Sequence, residues 1–420
     1  MEENSTIRVI ELFAGVGGFR VGLEKANKEL FEVAWANQWE PSRKAQDAFD
    51  CYARNFTEGM HVNEDIGEIP DEVFQDIEPS LVVGGFPCQD YSVARSLSGE
   101  KGIQGKKGVL FWQIERVIEK THPKYVLLEN VDRLLKSPSS QRGRDFAVML
   151  ATFRNLNYTV EWRVINAAEY GFAQRRRRVF IFAYKNGITF DQEQQQIDAK
   201  DIVFKEGFFA KPLPVQEEPY KNREDYETIP IDRVEISDNF SFNFHNAGVM
   251  RNGKIYTAHV QPVDMNPTPL SDILLDEELI DDKFYLSEQM EEKFKYLRGP
   301  KKIERTSQDG HKYYFSEGGM SPTDDLDKPG RTMLTSEGSI NRSTHIIEVN
   351  GRKRFLTPIE CERLNGFDDN WTAGMTDRMR YFCMGNALVV NLIEIMGNRI
   401  IEINTIKTNN EEEIQLGLSL

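Results

Sequence analysis

Ile7-Arg8-Val9-Ile10-Glu11-Leu12-Phe13-Ala14-Gly15-Val16-Gly17-Gly18 reads as a strand running into a glycine turn. Residues 7–13 alternate and are rich in β-branched side chains; the pattern breaks over residues 15–18. Phe19, Gly22, Leu23 and Ala26 then follow at helical spacing. Glycines between a strand and a helix permit a tight turn and let a ligand approach the backbone. In an open α/β sheet, the crevice at the strands' carboxyl ends is where ligands bind. The spacing here is G-x-G-G, not the dinucleotide G-x-G-x-x-G. Gly105-Lys106-Lys107 is no phosphate loop either, lacking the upstream glycine and the following Ser or Thr. By itself the turn equally suits a plain structural loop.

Outward from this point, residues 31–36 read as a second strand, and Pro41 suits the first turn of the next helix. Residues 81–83 form a short, wholly apolar strand, as buried parallel strands do. Leu110, Ile114, Val117 and Ile118 share one helical face, and residues 125–128 and 179–184 are further buried strands. Strands alternating with helices predict an α/β fold, with a parallel sheet covered on both faces. After Lys185 the texture changes. Residues 186–350 are rich in Asp, Glu, Pro, Gly and short aromatic fragments, with a Gln-rich stretch at 191–196 and no long periodic helix. A second, smaller, irregular domain is expected there. Leu388, Leu392, Ile395 and Met396 return to helical spacing, and a polar acidic tail begins near Thr408. The expected division is 1–185, 186–383, and a helix plus tail at 384–420 that returns to the first domain.

A chain of 420 residues suits two domains. It has no 18-residue apolar run, so no membrane span is expected. Residues 1–8 are polar and acidic, unlike a signal peptide, which points to a cytoplasmic protein. The four cysteines, Cys51, Cys88, Cys361 and Cys383, lack zinc-site spacing, so neither metal nor disulfide is expected. A net charge of −15 fits poorly with a nucleic-acid partner. Basic clusters at 101–107, 142–144, 175–178, 301–305 and 352–354 stand apart from acids at 276–282 and 411–413. A segregated basic cleft is compatible with that pattern, but composition alone does not suggest DNA.

Four segments carry candidate chemistry. Asn37-Gln38-Trp39-Glu40 follows the second strand, where an acid often holds a ribose; Glu40 is the candidate and Trp39 suits stacking on an adenine. Asp65-Ile66, after a third strand, is another candidate, although a solvated acid and a half-buried Trp fit the same residues. Phe86-Pro87-Cys88-Gln89 follows Val82-Val83-Gly84-Gly85 at a strand's end. A lone cysteine is more often buried and inert, but this one sits in a loop braced by Pro and Gly, with Ser92 and Arg95 nearby. An ordinary thiol is only about 3% thiolate at pH 7, so a nucleophile here needs backbone dipoles or basic side chains. Glu129-Asn130-Val131 places a carboxylate at the same sheet edge, suited to proton transfer or to a simple cap. In Gln174-Arg175-Arg176-Arg177-Arg178, alternate residues at a strand face opposite ways, so two arginines can face the site while the others stay solvated.

In this order, these segments resemble the C5-cytosine DNA methyltransferase family, over most of residues 7–185 and 354–400 and only weakly between. Later elements of the resemblance are Leu356-Thr357-Pro358-Ile359-Glu360-Cys361-Glu362-Arg363-Leu364-Asn365-Gly366-Phe367 and Gly385-Asn386-Ala387. The resemblance implies a Rossmann-like, S-adenosylmethionine-dependent methyltransferase sheet with a smaller target-recognition domain. It implies that Cys88 adds to C6 of a flipped cytosine, making C5 nucleophilic, while Glu129 contacts or protonates N3. Arg178 and Arg176 would bind near the flipped base. Phe13, Gly15, Gly17, Gly18 and Pro87 would line the donor pocket, with Asp65 and Ile66 on the adenine. Asn386 and Val389 would close it. Extruding the base costs about a few kcal/mol. The implied partners are duplex DNA, read by residues of about 186–350, and a restriction endonuclease from which the methylation protects host DNA; a monomer is expected. The alternative within the fold is the family's tRNA-methylating branch. One departure stands out: the family's ribose acid aligns with Gln38, leaving Glu40 two residues later. Cys361 and Cys383 read as packing residues.

Overall fold

Strand β1 (Ile7–Leu12) takes its apolar run into the core, where Val9, Ile10 and Leu12 are all buried. The computed structural model describes residues 6–86, 109–217, 223–263, 265–307 and 310–405. In it β1 is joined by β2 (Phe31–Asn37), β3 (Met60–Val62), β4 (Leu81–Gly85), β5 (Tyr125–Val131), β6 (Tyr158–Asn166) and β7 (Arg177–Lys185). Beyond them run a short strand β8 (Val215–Glu217), then β9 (Glu224–Thr228), β10 (Ala247–Arg251) and β11 (Lys254–Ala258). The main sheet has ten strands in the order β3-β2-β1-β4-β5-β7-β6-β10-β11-β9. Strands β1 to β5 pair in parallel, and β7 lies antiparallel between β5 and β6. The chain moves outward from β1 through β2 to β3, then crosses back to lay β4 on β1's other side, with Leu12 opposite Gly84. That reversal opens a crevice at the ends of β1 and β4.

The strands are apolar on both faces because both faces are covered, as the sequence pattern predicts. On one face Val82, Val126 and Leu128 pack in a core with Phe111, Ile114, Val117 and Ile118 of the Val109–Thr121 helix and with the Arg144–Asn155 helix. On the other, Tyr125 donates its hydroxyl to the Ile403 carbonyl of the Val390–Asn404 helix. That helix packs on the Gly18–Asn27 helix so closely that a Cβ at Gly22 would lie 2.4 Å from Ile393 Cβ, which only glycine tolerates.

The structure differs from the sequence expectation in three places. The sheet is mixed and not parallel throughout, because β7, β6, β10, β11 and β9 all join it by antiparallel pairing. Pro41 lies in a turn, and the helix begins at Asp47, because the Gln46 side chain locks residues 40–46 by bonding both the amide and the carbonyl of Glu40. Residues 186–265 do not belong to a second domain. They extend the main sheet through β9, β10 and β11, and the chain divides into one unit of residues 1–170, 177–265 and 390–420 and another of residues 171–176 and 266–389. The signal for β10 and β11 was Asn252-Gly253, which turns the hairpin with both φ angles positive, 52° and 80°.

The second unit is built of short elements, including the Lys301–Thr306/Lys312–Glu317 and Ile346–Val349/Arg352–Phe355 ribbons. At its centre Arg354, fully buried, binds Glu360 and Glu277. Thr357 caps the Pro358–Leu364 helix in a capping box with Glu360. Among the described residues no helix is long and apolar enough to cross a membrane.

Candidate active site

The glycine turn is suspended from the end of β2. Ala14 N–H donates to the Asn37 carbonyl (2.9 Å), and Gly15 N–H to Gln38 Oε1 (2.8 Å). Gly17 N–H closes the turn on the Ala14 carbonyl. Phe13, Gly15 and Gly17 all have left-handed backbone, with φ of 56°, 57° and 90°. For Phe13, an L-residue, that conformation costs on the order of 1–3 kcal/mol, the kind of strain found at ligand sites. A Cβ at Gly17 would stand 2.4 Å from Phe56 Cε2, whereas one at Gly15 would meet nothing within 4 Å among the described residues. Among the described residues no side chain covers the backbone at Gly15, and Gly18 starts the helix beyond it.

Gln38, not Glu40, reaches this turn. The Glu40 carboxylate turns toward Arg43 Nε, 3.2 Å away, and partial burial raises its pKa against the pull of that guanidinium. Trp39 is 36% exposed at the end of β2. Asp65 accepts from Gly67 N–H (2.9 Å) and caps the Ile66–Glu68 turn. The Ile66 side chain is only 2% exposed and belongs to the core, so an adenine contact would fall to its backbone.

One strand pair away stands the carboxylate. Glu129, at the carboxyl end of β5 and opposite Gly85 of β4, receives Arg178 Nε at 2.9 Å from β7. Both side chains are largely buried, at 14% and 18% exposure. The second oxygen, Oε2, lies 3.4 Å from where a Gly85 Cβ would be, so the absence of a side chain at 85 leaves room beside the carboxylate. Asn130 donates from Nδ2 to the Phe86 carbonyl (2.9 Å) and so anchors the chain where it leaves β4. Asn130 is a residue that sequence reasoning left without a role, whereas Gln38 had been noted only as the position where the family's ribose acid aligns. Asn130 had a signal: a polar residue directly after an apolar strand and beside an acid. Cys88 and Pro87 lie outside the described residues. The other three cysteines are all buried.

The arginine run alternates as expected, with Arg175 and Arg177 exposed while Arg176 is buried and Arg178 half-buried. Arg177 pairs with Asp132 at 3.0 Å. Arg176 is 2% exposed and donates to the carbonyls of Met333, Gly385 and Asn386 within the second unit, so it holds a turn in place there. Asn386 ends the Asp377–Asn386 helix of that unit with its side chain exposed, and Val389 is buried. In the first unit, then, the fold gathers Phe13, Gly15, Gly17, Gly18 and Gln38 at one strand end, and Glu129, Arg178 and Asn130 at another.

A reversing parallel sheet with a glycine turn at its switch point, and a guarded carboxylate at the same edge, is the frame of a Rossmann-like methyltransferase. The crystal structure of S. pombe Dnmt2 methyltransferase has the same fold, with a TM-score of 0.61 at 14% identity over 96% of this chain and 100% of that one. The chain belongs to the C-5 cytosine-specific DNA methylase family, whose model matches residues 7–402. The Type II methyltransferase M.Sau3AI of Staphylococcus aureus is 60% identical over 98% of this chain and 99% of its own length. M.HhaI of Haemophilus parahaemolyticus, also a Type II methyltransferase, is 25% identical over 94% of each. The protein is a DNA methyltransferase acting at carbon 5 of cytosine.

Proposed function

We propose that the protein methylates one cytosine within a short duplex sequence, with S-adenosylmethionine as donor and Cys88 as nucleophile, as the modification partner of a restriction endonuclease. The observation that carries this reading is the Glu129–Arg178 pair beside side-chain-free Gly85. Cys88 stands two residues after Phe86, whose carbonyl Asn130 holds.

On this reading the Cys88 thiolate forms a bond to C6 of the extruded cytosine, and the C5–C6 π electrons are pushed toward C5. Glu129 holds or supplies the proton at N3, drawing charge out of the ring, and Arg178 fixes the carboxylate that does so. When bound, the donor's sulfonium supplies an electrophilic methyl group. A base such as a water then takes the C5 proton, and the electrons of that C–H bond re-form the C5–C6 double bond as the Cys88 thiolate leaves. The residues at the glycine turn fit such a donor: Gly15 offers backbone that no described side chain covers, Gln38 a carboxamide directly at the turn, and Trp39 an exposed ring. Asp65, Ile66, Asn386, Val389 and Pro87 are proposed to complete the pocket, with Arg176 positioning the Asn386 turn. The endonuclease partner is inferred from the two Type II relatives.

Purified protein with labelled donor is expected to methylate duplex DNA at C5 within one short motif and to leave tRNA unlabelled. Label on tRNA alone, or on an exocyclic nitrogen, sinks the proposal. At the ribose position, Gln38→Ala is expected to weaken donor binding about tenfold, the order of one to two hydrogen bonds. Glu40→Ala should weaken it less than threefold. Titration calorimetry on the two variants checks this, and the reverse ranking returns the role to Glu40.

A further inference from the structure

We infer that Glu11 is a positioning residue of the methyl-donor site: buried beneath the glycine turn, its carboxylate closes the N-terminus of the Gly18–Asn27 helix and so fixes the turn that receives the donor. The inference rests on the donor site proposed above. The first N–H groups of a helix have no partner within it, and the residue preceding this helix, Gly17, has no side chain to cap them. Glu11 reaches in from β1 instead. Its Oε1 accepts from Arg20 N–H (3.4 Å) and its Oε2 from the Tyr52 hydroxyl (2.8 Å). Tyr52 also packs under the turn, 3.3 Å from where a Gly17 Cβ would lie.

The surroundings leave this carboxyl poorly compensated. Its strand neighbours are Ala36 and Val83, and it has no exposed surface. The charged and titratable groups facing it are Arg20 and Glu24 on the Gly18–Asn27 helix and Tyr52 on the Asp47–Asn55 helix. The Arg20 guanidinium points elsewhere, to Glu24 (2.7 Å) and to the Glu58 carbonyl (2.9 Å), and lies over the Phe56 ring. Desolvation pushes the Glu11 carboxyl up from 4.5 to about 7, while Tyr52 and Arg20 pull it back. A pKa raised on folding contributes stability that is present below the unfolded value and lost as pH rises through the folded one. Ionised Glu11 therefore burdens the fold above about pH 7, yet in that form it best caps the helix, since an anion near a helix N-terminus is favoured. A side chain that costs the fold and props the turn is placed for the site.

Donor dissociation constants measured by calorimetry from pH 5.5 to 8.5 test this on the full chain. The wild type is expected to bind about tenfold more weakly at pH 5.5 than at pH 8.5, the order of one charge-assisted hydrogen bond. Glu11→Gln should bind about tenfold more weakly at pH 8 and lack the inflection, which also separates Glu11 from titration of the donor itself. Its unfolding midpoint at pH 8 should be no lower than wild type, whereas a merely structural role predicts a fall. Tyr52→Phe, which removes a hydrogen bond favouring the carboxylate, should move the inflection to higher pH. Wild-type affinity and pH dependence in Glu11→Gln overturn the inference. Gly15→Val tests the underlying site separately: it should lose donor binding, and normal binding there would overturn both.

Discussion

Cys88→Ala is expected to abolish methyl transfer and to form no covalent complex with duplex DNA carrying 5-fluorocytosine at the target, while the wild-type protein is trapped. Carbon 5 of cytosine is a poor nucleophile, and bonding at C6 is what turns the ring into an enamine able to attack a methyl group. Without the sulfur that route closes, and removal of a covalent nucleophile costs on the order of 10⁶-fold in rate. Fluorine at C5 cannot leave as the proton does, so the wild-type adduct persists through denaturing electrophoresis. The other cysteines offer no substitute: Cys51 and Cys361 are 0% exposed and Cys383 5%. Burial also pushes the Cys361 thiol well above its ordinary value, which keeps it protonated. Donor binding should stay within about twofold, because a thiol-to-methyl change removes little contact. Adduct formation by Cys88→Ala would assign the nucleophile to another group.

The parts of this molecule that were legible in the sequence are those where one signal sufficed. A period of two, a glycine break and a period of 3.6 gave β1, the turn and its helix, because local sterics and burial agree there. Wholly apolar runs gave β4 and β5, since a parallel strand covered on both faces has nothing polar to hide, and β7, which is antiparallel but equally buried. β9 gave no such signal: Glu224-Asp225-Tyr226-Glu227-Thr228 is a largely exposed edge strand, and its place depends on pairing with β11. Its neighbours carried the Asn252-Gly253 turn, and Asn350-Gly351 marks the Ile346–Val349/Arg352–Phe355 ribbon in the same way, with φ of 51° and 75°.

The site divides along the same line. That Glu129 ends a strand was readable; that Arg178 guards it was half-readable, since alternation put Arg176 and Arg178 on one side without saying what either would meet. Partners distant in sequence decide that. Met333, Gly385 and Asn386 carbonyls claim Arg176, a long-range bond that no local pattern announces. Gln38 is similar. Its distance from Gly15 in sequence is 23 residues, and only the parallel pairing of β1 with β2 brings its carboxamide to the turn. Glu40, the better acid by type, was drawn away by Arg43 three residues on.

Glu129→Gln is expected to lower the rate of methyl transfer by about 10²- to 10⁴-fold, the usual range for a proton-transfer group, with donor affinity unchanged. The amide is isosteric and can still accept from Arg178, so the fold and the 2.9 Å contact should survive. What it loses is the negative charge and the ability to give or hold a proton at N3. Arg178→Ala should lower the rate by a smaller factor, because the carboxylate keeps its chemistry but loses the guanidinium that orients it. The pair makes the prediction sharper. If Arg178 acts through Glu129, removing the arginine in the Glu129→Gln background should cost far less than in the wild type, since residues acting as a unit are not additive. Single-turnover methylation of a duplex target measures all three variants under one condition. Additive losses would mean that Arg178 touches the base or its phosphate in its own right. An undiminished rate in Glu129→Gln would mean that N3 is served by another group, and that the carboxylate beside Gly85 has a different role.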